Sequence, residues 1–141
     1  MAERLDLQVN TRISARDKHE LDLVASARSE RPLAVARELL REGIRRERHP
    51  GVTFRSGAAG RRAALEGHRL DVWQVMETVW ASDGDIEAAA DYLGILPADV
   101  RVAVSYCADY PDEVDEMTRR NQEMAERAEA QFRRERQALR R

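Results

Sequence analysis

The chain predicts a mainly helical protein with short strands: a strand-helix-helix unit, a helical domain with a leading hairpin, and a long C-terminal helix. Three observations predict it. Residues 7–14 alternate polar and apolar at a strand's period of two. Helical apolar spacing then recurs in short runs punctuated by Pro, Gly and Asp. The last 30 residues are charged, with only a thin apolar seam.

In the opening segment, Val9, Thr11 and Ile13 point one way and Gln8, Asn10 and Arg12 the other. The latter three are side-chain types that hydrogen-bond base edges in the major groove. A lone strand forms no sheet, so its natural partner is the same strand of a second copy, paired as an antiparallel ribbon that fits that groove. The plainer alternative is a half-buried strand with a solvated polar face. Ser14 suits the N-cap of a first helix carrying Leu21, Val24 and Ala25 on one stripe. The joint Arg28 to Pro32 interrupts it, and Pro32 suits the first position of a second helix. That helix places Val35, Ala36, Leu39, Leu40 and Ile44 inward, with Arg37, Glu38, Arg41 and Glu42 outside. About 45 residues cannot bury an adequate core alone, so this unit requires dimerisation.

A domain boundary is expected near His49-Pro50-Gly51, dividing 1–48 from 49–111. Val52 to Arg55 reads as a short strand and Ser56 to Gly60 as a loop. Arg62 to Leu65 and His68 to Leu70 read as a hairpin across Glu66-Gly67. Asp71 caps a helix through Val72, Val75, Met76, Val79 and Trp80, and Ser82 to Asp85 breaks it. A helix from Ile86 to Leu93 ends at Gly94. Pro97 opens the next, whose apolar residues on more than one face make it the most buried of the set. Ala90, Gly94 and Val100 have helix-turn-helix spacing. The second helix, with Asp99 and Arg101 its charged residues, is wrong for phosphate, and the arrangement suits protein contact.

Residues 112–141 read as one helix, acidic early and arginine-rich late, as the helix macrodipole favours. Val114, Met117, Met124, Ala128, Phe132 and Leu139 form its seam. Such a segment is either a solvated tail or a helix that docks in an apolar groove with Phe132 as anchor.

Charge is segmented. Residues 1–48 hold 11 basic and 9 acidic side chains, and residues 49–70 hold 4 and 1. Residues 71–118 set Arg101 alone against 12 carboxylates, and residues 119–141 hold 8 arginines and 4 glutamates. An acidic middle between basic ends cannot lie uniformly on DNA, so ends and middle have different partners.

Several chemistries find no footing. Gly57 to Gly60 lacks the Lys-Ser/Thr of a phosphate-gripping loop. His49, His68 and Cys107 are scattered without ligand spacing, so no metal or cofactor is expected. No nucleophile-base pair can be named among the carboxylates, so no enzyme activity is expected. One cysteine, no membrane-length apolar run and no apolar leader at the acidic start, with Glu3 and Asp6, give a cytoplasmic expectation.

Residues 7–47 resemble the ribbon-helix-helix repressors of the MetJ/Arc class, through Arg12-Ile13-Ser14, Leu21-Asp22 and Arg37-Glu38. The resemblance implies an intertwined dimer with a shared core of Val9, Ile13, Leu21, Val24, Leu39 and Leu40. It implies base contacts from Gln8, Asn10 and Arg12, and phosphate contacts at the second helix start, near Arg31 and Leu33. Residues 50–115 resemble a small bacterial domain associated with VapB-type antitoxins of PIN-domain ribonucleases. The resemblance runs through Gly67 to Trp73, Ala89 to Gly94, Pro97 to Arg101 and Tyr106 to Pro111. It implies an antitoxin that represses its own operon and whose C-terminal helix covers the toxin with Phe132, Arg133, Arg134, Arg136, Leu139 and Arg140. One of Arg133, Arg134, Arg136, Arg140 or Arg141 would pair with the toxin's metal-binding carboxylates. Expected partners are thus a PIN-domain toxin, operator DNA and a second copy or more of the chain. The alternative is a free-standing regulator whose middle senses or oligomerises and whose tail makes a coiled coil.

Overall fold

In the computed structural model, residues 4 and 7–140 are described. Among them, six helices and one two-stranded antiparallel hairpin make up the regular structure. The helices are α1 (Ala15–Arg28), α2 (Pro32–Arg48), α3 (Val72–Ala81), α4 (Ile86–Leu93), α5 (Pro97–Asp109) and α6 (Pro111–Ala138). The strands are β1 (Val52–Gly57) and β2 (Gly60–Leu65). Mainly helical with short strands is therefore the fold class.

The chain divides into two compact units, Met1–Arg41 and Glu42–Arg141. The division falls ahead of the expected joint at His49, because the last turns of α2 bury side chains with the elements that follow. Glu42, expected on an outer face, is buried there against Arg61, 2.6 Å away.

In the first unit, Ser14 caps α1 by accepting from the Asp17 N–H at 3.0 Å. The helix ends at Ser29, whose φ of 55° is left-handed, with the Glu30 N–H closing on the Ala25 carbonyl at 2.9 Å. Pro32 then opens α2, where its missing N–H costs nothing. Ala25 and Val35 are this unit's buried apolar side chains among the described residues. Residues 7–14, expected to be a strand, take none in the single chain. The reason is physical: a strand exists through hydrogen bonds to a neighbour, and none is paired here.

In the second unit the hairpin is one connection earlier than expected. β1 pairs with β2 from Val52↔Leu65 to Gly57↔Gly60, so the turn is Ala58-Ala59 rather than Glu66-Gly67. Neither alanine has a positive φ; Gly60, at 106°, takes up the reversal. Most of the expected Ser56–Gly60 loop is thus strand. Only a single bridge, Ala64↔Asp71, survives of the pairing expected after Leu65.

Asp71 opens α3, its N–H donating to the Gln74 side chain at 2.9 Å. Asp85 caps α4 by accepting from the Ala88 N–H at 3.0 Å, and Gly94 ends it at φ 68°. Pro97 starts α5 and Pro111 starts α6. The core gathers Val52, Leu65, Val72, Val75, Met76, Val79, Ala89, Ala90, Val100, Ala103 and Tyr106. α5 lies at its centre, packing on α3, α4, α6 and both strands. Against expectation it is not the most buried helix: α3 buries four side chains in ten residues and α5 four in thirteen, because α5 keeps an exposed side at Ala98, Arg101, Ser105 and Ala108. Val114 and Met117 also enter the buried interior, so the first turns of α6 belong with this unit rather than starting a separate segment at residue 112.

Candidate functional site

The expected base-reading residues Gln8, Asn10 and Arg12 are all exposed, and Gln8 Nε2 donates to Asn10 Oδ1 at 3.1 Å. Arg31 and Leu33, at the start of α2, are exposed as well. The first-turn N–H groups of any helix lack partners within it, which is the chemistry that phosphate uses.

The apolar side of the same unit is uncovered in the single chain. Leu7 is 95% and Val9 79% exposed, and Ile13, Leu23, Val24, Leu39 and Leu40 are exposed too. Leu21 is half-buried. Of the six residues expected to share a dimer core, none is buried within one chain.

The second unit holds a polar cluster that the sequence reading did not find. It joins the end of α2 to the α5–α6 junction. Arg45 donates to the Tyr106 hydroxyl at 3.1 Å and pairs with Glu113. Its guanidinium lies over the Tyr110 ring, 4.1 Å from the centroid. Four residues on, His49 is buried, with Nε2 2.8 Å from Asp109 and its ring edge-on to Tyr106 and Tyr110. Arg48 reaches the same Asp109 oxygen at 3.2 Å.

Burial opposes the charge of Arg45, yet Glu113 and the two tyrosines hold its pKa above the ordinary arginine value. Burial, reinforced by Glu113, pushes the Tyr106 hydroxyl well above the usual tyrosine range. Nearby, Asp71 accepts from Trp73 Nε1 at 3.1 Å and pairs with Arg62. No buried side-chain nitrogen or oxygen among the described residues lacks a hydrogen-bond partner. A cavity of about 10 Å³ lies among Arg62, Trp73, Tyr106, Glu113, Val114 and Met117, with room for about one water. The cluster is a satisfied clamp that fixes the end of α2. Its signal was present as Arg45 and His49 at i, i+4 and Tyr106, Tyr110 and Glu113 at i, i+4, i+7, but nothing local pairs the two sets.

Along α6, burial stops early. Every described residue from Ala125 onward is exposed, including Phe132 at 58% and Leu139. Of the expected toxin-contacting side chains, Arg133 pairs with Glu129 one turn back and Arg136 lies 5.8 Å from the Phe132 ring centroid. Arg134 and Arg140 are exposed; Arg141 lies outside the described residues. Among the described residues, no three of His, Cys, Asp and Glu gather into a metal-holding group. None of their helices is long and apolar enough to cross a membrane.

No family model, no curated protein and no solved structure matches the chain.

Proposed function

We propose that this chain is a VapB-type antitoxin: a ribbon-helix-helix dimer that binds its own operator and a C-terminal helix that binds and inhibits a PIN-domain ribonuclease. The observation that carries this reading is the uncovered apolar set of Leu7, Val9, Ile13, Val24, Leu39 and Leu40 beside the exposed polar row Gln8, Asn10 and Arg12. A second copy would cover the first set by pairing residues 7–13 into a ribbon, leaving the polar row to face base edges. In this reading α4 and α5 form a helix-turn-helix-like pair used for protein contact, since α5 offers Asp99 and Arg101 rather than a basic face. The exposed end of α6 supplies Phe132 as anchor and arginines for the carboxylates of the toxin's metal site.

The test is co-expression with the adjacent reading frame, followed by mass measurement of the purified complex and a mobility shift on the DNA upstream. Removing residues 125–141, of which 125–140 are exposed, is expected to abolish toxin binding and spare the DNA shift. Truncation at residue 112 would also strip Val114 and Met117 from the buried interior and confuse the two effects. Loss of the DNA shift with toxin binding intact would overturn the division of labour.

A further inference from the structure

The second unit leaves two apolar surfaces uncovered, and their surroundings carry opposite charge. One is on α4. Its buried side is Ala89 and Ala90, so Glu87, Ala88, Asp91 and Tyr92 share the opposite arc of the helix. Tyr92 is 82% exposed, and Leu96, just past the Gly94 cap, is 67% exposed. Asp83 and Asp85 precede the helix, and no Lys, Arg or His occurs from Leu70 to Val100. A tyrosine on a carboxylate-lined helix face is suited to a segment that brings apolar side chains and arginines together.

The other surface is such a segment. On the far end of α6, Ala125, Ala128, Glu129, Phe132 and Arg136 fall within one arc of the helix, and Leu139 and Arg140 follow just past its end. Phe132 and Leu139 are the large apolar residues of this end, Arg136 and Arg140 lie along one side of them, and Glu129 is held by Arg133. This end does not cover its own α4: every described residue from Ala125 onward is exposed, and so is Tyr92. From Asp112 to Arg141 there is no glycine or proline, the usual causes of a sharp bend. The exposed turns from Ala125 to Ala138 carry the stripe about 20 Å beyond the last half-buried residues at 1.5 Å per residue.

We infer that the acidic α4 face, Glu87, Asp91, Tyr92 and Leu96, is a docking site for the Phe132–Arg140 end of α6 from a second copy of this chain. The contact buries Phe132 and Leu139 against Tyr92 and Leu96, and sets Arg136 and Arg140 against Glu87 and Asp91. It does not depend on a toxin. It does give a toxin something to displace, since both would use the same end of α6.

The test places p-benzoylphenylalanine in place of Phe132 in the full-length chain, mixed with isotope-labelled chain carrying no crosslinker. Mass spectrometry after illumination is expected to find crosslinks between chains, mapping to residues 83–96. Glu87→Arg with Asp91→Arg in the labelled chain should lower the yield about tenfold at moderate salt, since like charges then meet. Arg136→Glu with Arg140→Glu in the crosslinker chain should restore it against the reversed partner. Recovery by that swap is a result that mere loss of folding could not produce. Crosslinks within one chain, crosslinks to another segment, an absence of crosslinks, or a yield indifferent to reversal would each overturn the inference. Absence of a toxin partner would leave these results unchanged, so the two proposals fail separately.

Discussion

The hydroxyl of Tyr106 donates to the carboxylate of Glu113, 3.1 Å away, across the joint where α5 gives way to α6. The same hydroxyl accepts from Arg45 at 3.1 Å, so one oxygen ties the end of α2 to both helices. Tyr106 and Glu113, 61 and 68 positions from Arg45, thus both meet its Nη1.

Tyr106→Phe keeps the ring and removes that oxygen. It is expected to lower stability by about 1–2 kcal/mol, the usual cost of stripping a partner from a buried polar group. Urea unfolding of both proteins measures the difference. The wild-type chain should also lose stability as pH rises above 10, the ordinary tyrosine value. There the unfolded tyrosine ionises while the folded one, its pKa raised, does not. In Tyr106→Phe this part of the alkaline loss should vanish; an unchanged alkaline profile would count against the buried hydrogen bond.

Gly94 ends α4 at φ 68°, with open space where a Cβ would sit. Gly94→Ala therefore clashes with nothing and pays only the left-handed backbone. A loss of about 1 kcal/mol is expected in thermal or urea unfolding. A neutral result would mean that α4 ends differently in solution.

Glu116 accepts from Arg119 and Arg120 on the exposed side of α6, and these hydrogen bonds lower its pKa to about 2. A depressed carboxylate stabilises the helix above the ordinary value of 4.5 and loses that contribution as pH falls toward 2. Carbon-detected NMR titration of Glu116 should show the low midpoint at low ionic strength. Because the pair is exposed, raising salt should bring the midpoint back toward the ordinary carboxylate value.

Val9→Asp and Ile13→Asp should each convert the proposed dimer to a monomer, read by light scattering at micromolar concentration, because each would bury a charge in the shared core. Asn10→Ala and Arg12→Ala should leave the dimer intact and weaken specific DNA binding by about 1–3 kcal/mol each. Full affinity and an unchanged footprint with both replaced would remove them from the interface.

Helix boundaries were legible in the chain because they are local. Ser14, Asp85, Gly94, Pro97 and Pro111 each satisfy or interrupt backbone hydrogen bonding within a few residues of themselves, and each stands where its chemistry requires. The hairpin was misplaced because Glu66-Gly67 carries a turn signature, whereas Ala58-Ala59 carries none and relies on Gly60. Cross-strand pairing selects between such turns, and pairing is not a property of either segment alone.

What the sequence by itself determined is the mainly helical class, the order of α1 to α6 with the stops and starts at Ser14, Asp85, Gly94 and Pro97, and the segregation of charge along the chain. Only the tertiary structure decided that Glu42 is buried, that Arg45 and His49 meet Tyr106, Asp109 and Glu113, and that α6 begins inside the unit it leaves. The physical reason is range. Caps and periodicity act within a turn or two of backbone, while a buried ion pair exists only where distant segments exclude water together.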